Sequence, residues 1–148
     1  MNLNVRFHRG SGWGGSLVRQ WTNSQIGHCD LVFPDGVTLD VRPEVGVRFA
    51  HVSLIPPMSI VAQVPVTITD AGMDCLIAWA RGDDVIGQGY DFYGAAAAGL
   101  PIIAREHDTK WFCSEAVSRA LQIGSVLSYR ITPWRQTPLS LYELLPPS

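Results

Sequence analysis

The run HCDLVFPDGVTLDVR, residues 28–42, constrains the fold more than any other part of the chain. Two apolar, strand-forming arms flank Pro34-Asp35-Gly36, a turn in which proline presets φ and glycine accepts a positive φ. The arms therefore return on one another as a β-hairpin, and an all-helical architecture is excluded. LNVRF (residues 3–7) alternates as a further strand, and GVRFAHV (46–52) and SIVAQVPVTI (59–68) supply two more. The spacing predicts an antiparallel meander over residues 28–68.

Helical signals lie outside that block. GSLVRQWTNS (15–24), around Leu17 and Trp21, reads as a short helix. TDAGMDCLIAWARG (69–82) opens on Thr69 or Asp70 as N-cap and closes on Gly82, with Cys75 inside the helix. YDFYGAAAAGLP (90–101) starts another helix, for which Asp91 is the natural N-cap and which Pro101 ends. KWFCSEAVSRALQIG (110–124) reads as a helix starting at Cys113, and YRITPW (129–134) as a last strand before TPLSLYELL. Strands in the middle of the chain with helices around them define an α+β domain.

At 148 residues, 47% hydrophobic, with five Trp, four Tyr and five Phe, the chain suits one domain, residues 1–148, with a substantial core. A net charge of −2 without blocks of like charge argues against nucleic acid as a partner and against an anionic membrane surface. No apolar stretch approaches the ~18 residues of a transmembrane span, and MNLNVRFHRGSGWGG lacks the pattern of a secretory signal. The expectation is a soluble cytoplasmic protein without an integral membrane segment. Cys29, Cys75 and Cys113 form an odd set with no CxxC spacing, which argues against a disulfide framework or a structural zinc.

Cys113 is the residue with chemical promise. In its helix Cys113, Ala116, Val117, Ala120 and Leu121 share one face, while Glu115, Ser118, Arg119 and Gln122 lie opposite. The thiol falls at the buried edge of the first turn, where unsatisfied N–H groups and the helix dipole favour thiolate over thiol. Such placement tunes a cysteine without proving its use, since free cysteine also packs well.

A thiol nucleophile needs an imidazole base. His8 beside Arg9, His51 after a strand and His107 within REHDTK read as solvated surface side chains, whereas His28 opens an apolar strand. Its orienting acceptor is either Asp30, on the same strand face but ~7 Å along, or Asp40, on the returning arm. Counting outward from Asp35 sets Asp40 opposite Asp30; a slipped hairpin would bring Asp40 to His28 and separate the two carboxylates, and the slip is the expected arrangement. Arg42 could instead neutralise one of them. Cys29, one residue on, is expected to point away from the His28 face.

Taken together, GHCDLVFPDG, GVRF, YDFYG and WFCSEAVSRAL resemble the permuted NlpC-type (YiiX-like) branch of papain-like cysteine peptidases, which includes small proteins encoded in bacteriophages and prophages. The resemblance runs from about Trp13 to Leu121, and FCSE opening a helix is its most specific element. It implies a permuted papain-like fold, with the cysteine helix packed on an antiparallel sheet. It further implies Cys113 as nucleophile, His28 as base and Asp40 as third residue. Tyr90, Asp30 and Trp111 are expected beside the substrate, with the Cys113 N–H and a group near Tyr90 or Trp111 holding an oxyanion. The implied reaction is cleavage of an amide, in a peptide or a peptidoglycan stem peptide, without metal or organic cofactor. Two other readings stay open: an acyltransferase or thioesterase on lipid, like the lecithin:retinol acyltransferase relatives, and a non-catalytic phage structural or binding module.

Overall fold

The computed structural model describes residues 1–9, 24–55, 59–98 and 109–145. Among them the chain forms a five-stranded antiparallel sheet in the order β4-β3-β2-β1-β5. Its strands are β1 (Asn2–His8), β2 (His28–Val32), β3 (Val37–Arg42), β4 (Gly46–His51) and β5 (Ile60–Thr67). A parallel pair, β6 (Gly89–Tyr90) and β7 (Lys110–Trp111), and helices α1 (Asp70–Ala80), α2 (Phe92–Ala97), α3 (Cys113–Ile123) and α4 (Pro138–Leu144) complete it. The architecture is α+β, with α3 packed on β2 and β3 and in contact with α1 and α4. The expected helix at 15–24, His107 and Pro101 lie outside the described residues.

The hairpin forms as its turn residues dictate. Gly36 takes φ +80°, its N–H donates to the Phe33 carbonyl, and Asp35 Oδ1 accepts from the Val37 N–H at 3.0 Å. β2, β3 and β4 make the expected meander, but β5 does not continue it: β5 crosses to pair with β1 on the far side. Leu3, Val5 and Phe7 of β1 are fully buried, so an unpaired edge there would bury unsatisfied backbone groups, and β5 removes that edge. Alternation shows that β5 is a strand but not which neighbour it takes.

Alternation also divides the sheet. Leu3, Val5, Phe7, Cys29, Leu31, Leu39, Val41 and Val47 join the core with Leu76 of α1 and Ala116, Val117, Ala120 and Leu121 of α3. Alternate positions carry Arg6, His8, His28, Asp30, Asp40 and Arg48.

One further expectation is corrected: YRITPW is not a strand. On α3, Glu115, Ser118 and Gln122, opposite the apolar face, are as buried as Ala116. Gln122 Nε2 donates to the carbonyls of Ser128 (3.0 Å) and Ile131 (2.7 Å), and the Ser114 hydroxyl donates to that of Gln136 (2.6 Å). Carbonyls that would seek a strand partner are thus satisfied by helix side chains, and Pro133 starts a 3₁₀ turn, Pro133–Arg135. The capping reading holds elsewhere: Thr69 caps α1 through the Gly72 N–H, and Asp91 caps α2 through the Gly94 N–H.

The segment before β6 is docked on the start of β4. The Val47 N–H donates to the Gln88 carbonyl at 2.9 Å, and the Gly87 N–H donates to that of Val47 at 3.1 Å. Gly46 and Gly87 both have positive φ, but a Cβ on Gly46 would lie 2.1 Å from the Gln88 oxygen whereas one on Gly87 would meet nothing within 4 Å. Gly87→Ala is expected to cost about 1 kcal/mol, the strain of its φ alone. Gly46→Ala should cost roughly 3 kcal/mol or more, because the clash adds to the strain. Urea unfolding of both variants checks the difference.

Candidate active site

Cys113 is the first residue of α3, and its N-cap, Phe112, offers no side chain to the helix. The free N–H groups of the first turn therefore remain next to the thiol. The residue is only 4% exposed and stands against the first two residues of β2, His28 and Cys29. Because these begin the strand, a sulfur placed over its end meets side chains from both of its faces.

His28 is buried, and its Nε2 lies 2.9 Å from Asp40 Oδ1. With Nε2 engaged, Nδ1 is the nitrogen left for the thiol. Asp40 is fully buried and accepts from three sides. Arg48 reaches Oδ2 through Nε at 2.9 Å and Nη2 at 2.7 Å, and Arg42 Nε lies 3.0 Å from the same oxygen. The slipped hairpin is not what achieves this. β2 and β3 pair at Leu31↔Leu39 and Val32↔Thr38, the simple register, and Asp40 reaches His28 diagonally. The repulsion that favoured a slip is removed by arginines: Arg42 and Arg48 on Asp40, and Arg6 on Asp30.

Asp30 belongs to that second network. Arg6 grips it with two bonds, 2.9 and 2.6 Å, and His8 Nε2 lies 3.3 Å from Oδ2. It is fully buried, so the expectation that it contacts substrate is not met. His8 is not a surface residue either. It is 3% exposed and sits opposite His28 in the β1–β2 register with ring centroids 5.7 Å apart. Position 8 closes the alternation Asn4, Arg6, His8, a signal outweighed by its polar neighbours in sequence. His51 is exposed, as expected, and accepts from the Ser53 N–H.

Tyr90 reaches the site through β6, which pairs with β7 two residues before Cys113. Trp111, its partner in that pair, does not line the site: it is 8% exposed and packs edge-on to Trp79 in the core, with centroids 5.6 Å apart. Cys29, expected to point away, lies in the core beside the Cys113 sulfur, because α3 covers the face it projects from.

The charges follow from these contacts. Burial alone would lower the His28 pKa, but the Cys113 thiolate and the bonded Asp40 carboxylate outweigh it and raise it to about 10. Cys113 is held well below an ordinary thiol by a hydrogen bond from Cys29, which with the His28 charge prevails over burial. Burial drives Cys29 upward, and the neighbouring thiolate adds to this. Burial would raise Asp40, yet its bonds to His28 and Arg48 bring it down. Tyr90 is pushed up by burial and by the Cys113 charge, so its phenol stays protonated and can donate. These shifts favour a thiolate on Cys113 and a charged ring on His28, backed by the Asp40 carboxylate.

No protein-family model matches the chain, and no curated protein matches it. No helix among the described residues is long and apolar enough to cross a membrane.

Two outcomes follow from the ion pair. Cys113 should react with iodoacetamide faster than the exposed Cys75, and its rate at pH 6 should stay within a few-fold of that at pH 8, where an ordinary thiol loses roughly 100-fold. Peptide mapping after limited labelling reads both. The second concerns His28, whose pKa is raised in the fold, so its contribution to stability is complete below about 6.5 and lost as pH rises through about 10. Cys113→Ser removes the negative partner and should lower the His28 midpoint by more than ~1 unit, measured by NMR titration of the ring protons.

Proposed function

We propose that this protein is a cysteine hydrolase of the permuted papain-like kind, in which Cys113 attacks the carbonyl of an amide and His28 manages the proton. The observation that carries the reading is the sequence of contacts at one end of the sheet. A helix-initial thiol meets an imidazole whose far nitrogen lies 2.9 Å from a fully buried carboxylate. A packing cysteine needs neither partner, and a structural histidine needs no thiol.

The thiolate adds to the carbonyl, and the oxyanion finds the Cys113 N–H at the helix start and the Tyr90 hydroxyl. The His28 imidazolium gives its proton to the departing amine and leaves a thioester on Cys113. The neutral imidazole then takes a proton from water, which releases the acid. The order of His before Cys along the chain matches the NlpC-type resemblance, which supplies the substrate class: a peptide, with a peptidoglycan stem peptide foremost. The same resemblance makes a phage-encoded origin the natural context.

Release of amine from a panel of peptide and stem-peptide amides tests the reading. Cys113→Ser and His28→Ala should each lose on the order of 10³-fold or more in kcat with the fold retained. Asp40→Asn should lose at least ~10²-fold, and it should also destabilise, since Arg42 and Arg48 lose their common acceptor. Tyr90→Phe should reduce kcat while leaving the melting temperature near that of the unsubstituted protein. Turnover only when an amine acceptor is supplied would identify an acyltransferase, and a Cys113 no faster than Cys75 towards iodoacetamide would leave a binding module.

A further inference from the structure

We propose that His8 is a substrate-binding residue of the site: its Nδ1 accepts a hydrogen bond from the peptide N–H on the acyl side of the carbonyl that Cys113 attacks. The inference rests on the reading of Cys113 as nucleophile, and adds to it a further side chain and a demand on the substrate, an unsubstituted N–H.

Two rows of side chains cross the polar face of the sheet. Arg6 pairs with Asp30 and Asp40 with Arg48, and the hairpin register, continued one residue beyond Leu31↔Leu39, sets Asp30 beside Asp40. His8 and His28 face one another in the next row outward, where β2 begins. Each ring turns its Nε2 inward to the carboxylate one strand across: His28 to Asp40 at 2.9 Å, His8 to Asp30 at 3.3 Å. His8 therefore repeats the placement of the base one strand away, with the ring centroids 5.7 Å apart. The two nitrogens of an imidazole lie on different sides of the ring, so a ring with Nε2 turned inward presents Nδ1 outward, to the end of the sheet at which His28 meets Cys113.

The two outward nitrogens differ in what they meet. That of His28 is the one left for the thiol, whereas that of His8 is buried and has no hydrogen-bond partner among the described residues. His8 as a whole is as closed as Cys113. Nor is its ring needed to neutralise Asp30, since Arg6 already bonds both carboxylate oxygens, at 2.9 and 2.6 Å. A buried acceptor without a donor destabilises a fold, and a donor that arrives with a ligand accounts for its presence here. With its proton on Nε2, beside the carboxylate, the neutral ring can only accept at Nδ1, so the group it binds is an N–H or O–H. In a peptide, the donors nearest a carbonyl are the backbone N–H groups on either side of it. The leaving nitrogen has to meet the proton of His28, so the acceptor one strand away falls to the acyl-side N–H. Proline or an N-methylated residue at that position lacks the donor and leaves Nδ1 unpaired in the complex.

The test uses acetyl-alanyl chloromethyl ketone and its analogue with methyl in place of the alanyl N–H hydrogen. Cys113 displaces chloride from either reagent and is left as a thioether. The quantity read is the ratio of the two inactivation rates, N–H over N-methyl, in which a change in thiol reactivity alone cancels. His8→Gln keeps a donor for Asp30 but has no acceptor at the Nδ1 position, and His8→Asn puts its amide oxygen there. The ratio should fall about 5–10-fold in His8→Gln and recover most of that in His8→Asn. An unchanged ratio in the folded His8→Gln protein overturns the role of His8 and leaves the hydrolase reading intact; an Nδ1 that holds only a structural water gives this result. An equal fall in both variants overturns it too, because packing would then be the cause. In the unsubstituted protein, the nitrogen NMR resonance of His8 Nδ1 should move when the N–H adduct forms and stay in place when the N-methyl adduct forms. Equal movement in the two adducts overturns the proposal without recourse to a variant. Discrimination that depends on His8 without turnover of any peptide amide removes the hydrolase and keeps the binding role.

Discussion

The site and the sheet depend on the same buried carboxylate. An isolated charge in a protein interior is costly, and Asp40 is fully buried, so its presence is tolerable only with strong partners on several sides. It receives them from β2 through His28, from β3 through Arg42 and from β4 through Arg48. Three adjacent strands are therefore tied through one group, and breaking such an arrangement from one side typically costs about 3–5 kcal/mol. The residue that orients the imidazole is one that the sheet cannot easily lose.

A parallel arrangement lies one strand across. Asp30 is held by Arg6 from β1, with His8 close by, much as Asp40 is held by arginines with His28 close by. The two sets stand side by side because the hairpin keeps its simple register, which would oppose two bare carboxylates. Asp30 has Arg6, and Asp40 has Arg42 and Arg48. The difference between the sets is their reach: His28, at the end of β2, meets the helix N-terminus, whereas His8, across from it, has its Nε2 turned to Asp30.

What could be read from the chain beforehand was the local physics. The Pro34–Gly36 turn, the caps at Thr69 and Asp91 and the start of a helix at Cys113 all follow from residue types and short spacings, whereas Asp40 was expected at His28 through a slip of the hairpin and reaches it diagonally in the simple register. The parts that escaped depend on distant packing. The partner of β5 is decided by the need of β1 for a second neighbour, and the burial of Glu115, Ser118 and Gln122 by the C-terminal segment that folds over them. The identity of the face that α3 covers decides whether Cys29 is a bystander or a neighbour of the sulfur. Nothing within a strand's own alternation says which side a helix will cover. Trp111, expected beside the substrate, instead packs edge-on against Trp79, a contact between distant parts of the chain.

The buried ion pair also has a consequence for timing in the proposed reaction. His28 owes its high pKa chiefly to the negative charge on Cys113, with Asp40 adding to it, against a burial that works the other way. When the sulfur attacks a carbonyl, its charge passes to the oxygen and is taken up by donors at the helix start, so the imidazolium loses its nearest counter-charge. Burial then weighs against the charged ring, and His28 becomes a stronger acid at the moment a leaving amine needs a proton. Asp40 limits how far this goes, because it still accepts from Nε2 and keeps the ring in place to act as base towards water. A solvated site could not work this way, since water would screen the change in sulfur charge. The dryness that makes the resting thiolate hard to hold is therefore what lets a single histidine serve first as acid and then as base.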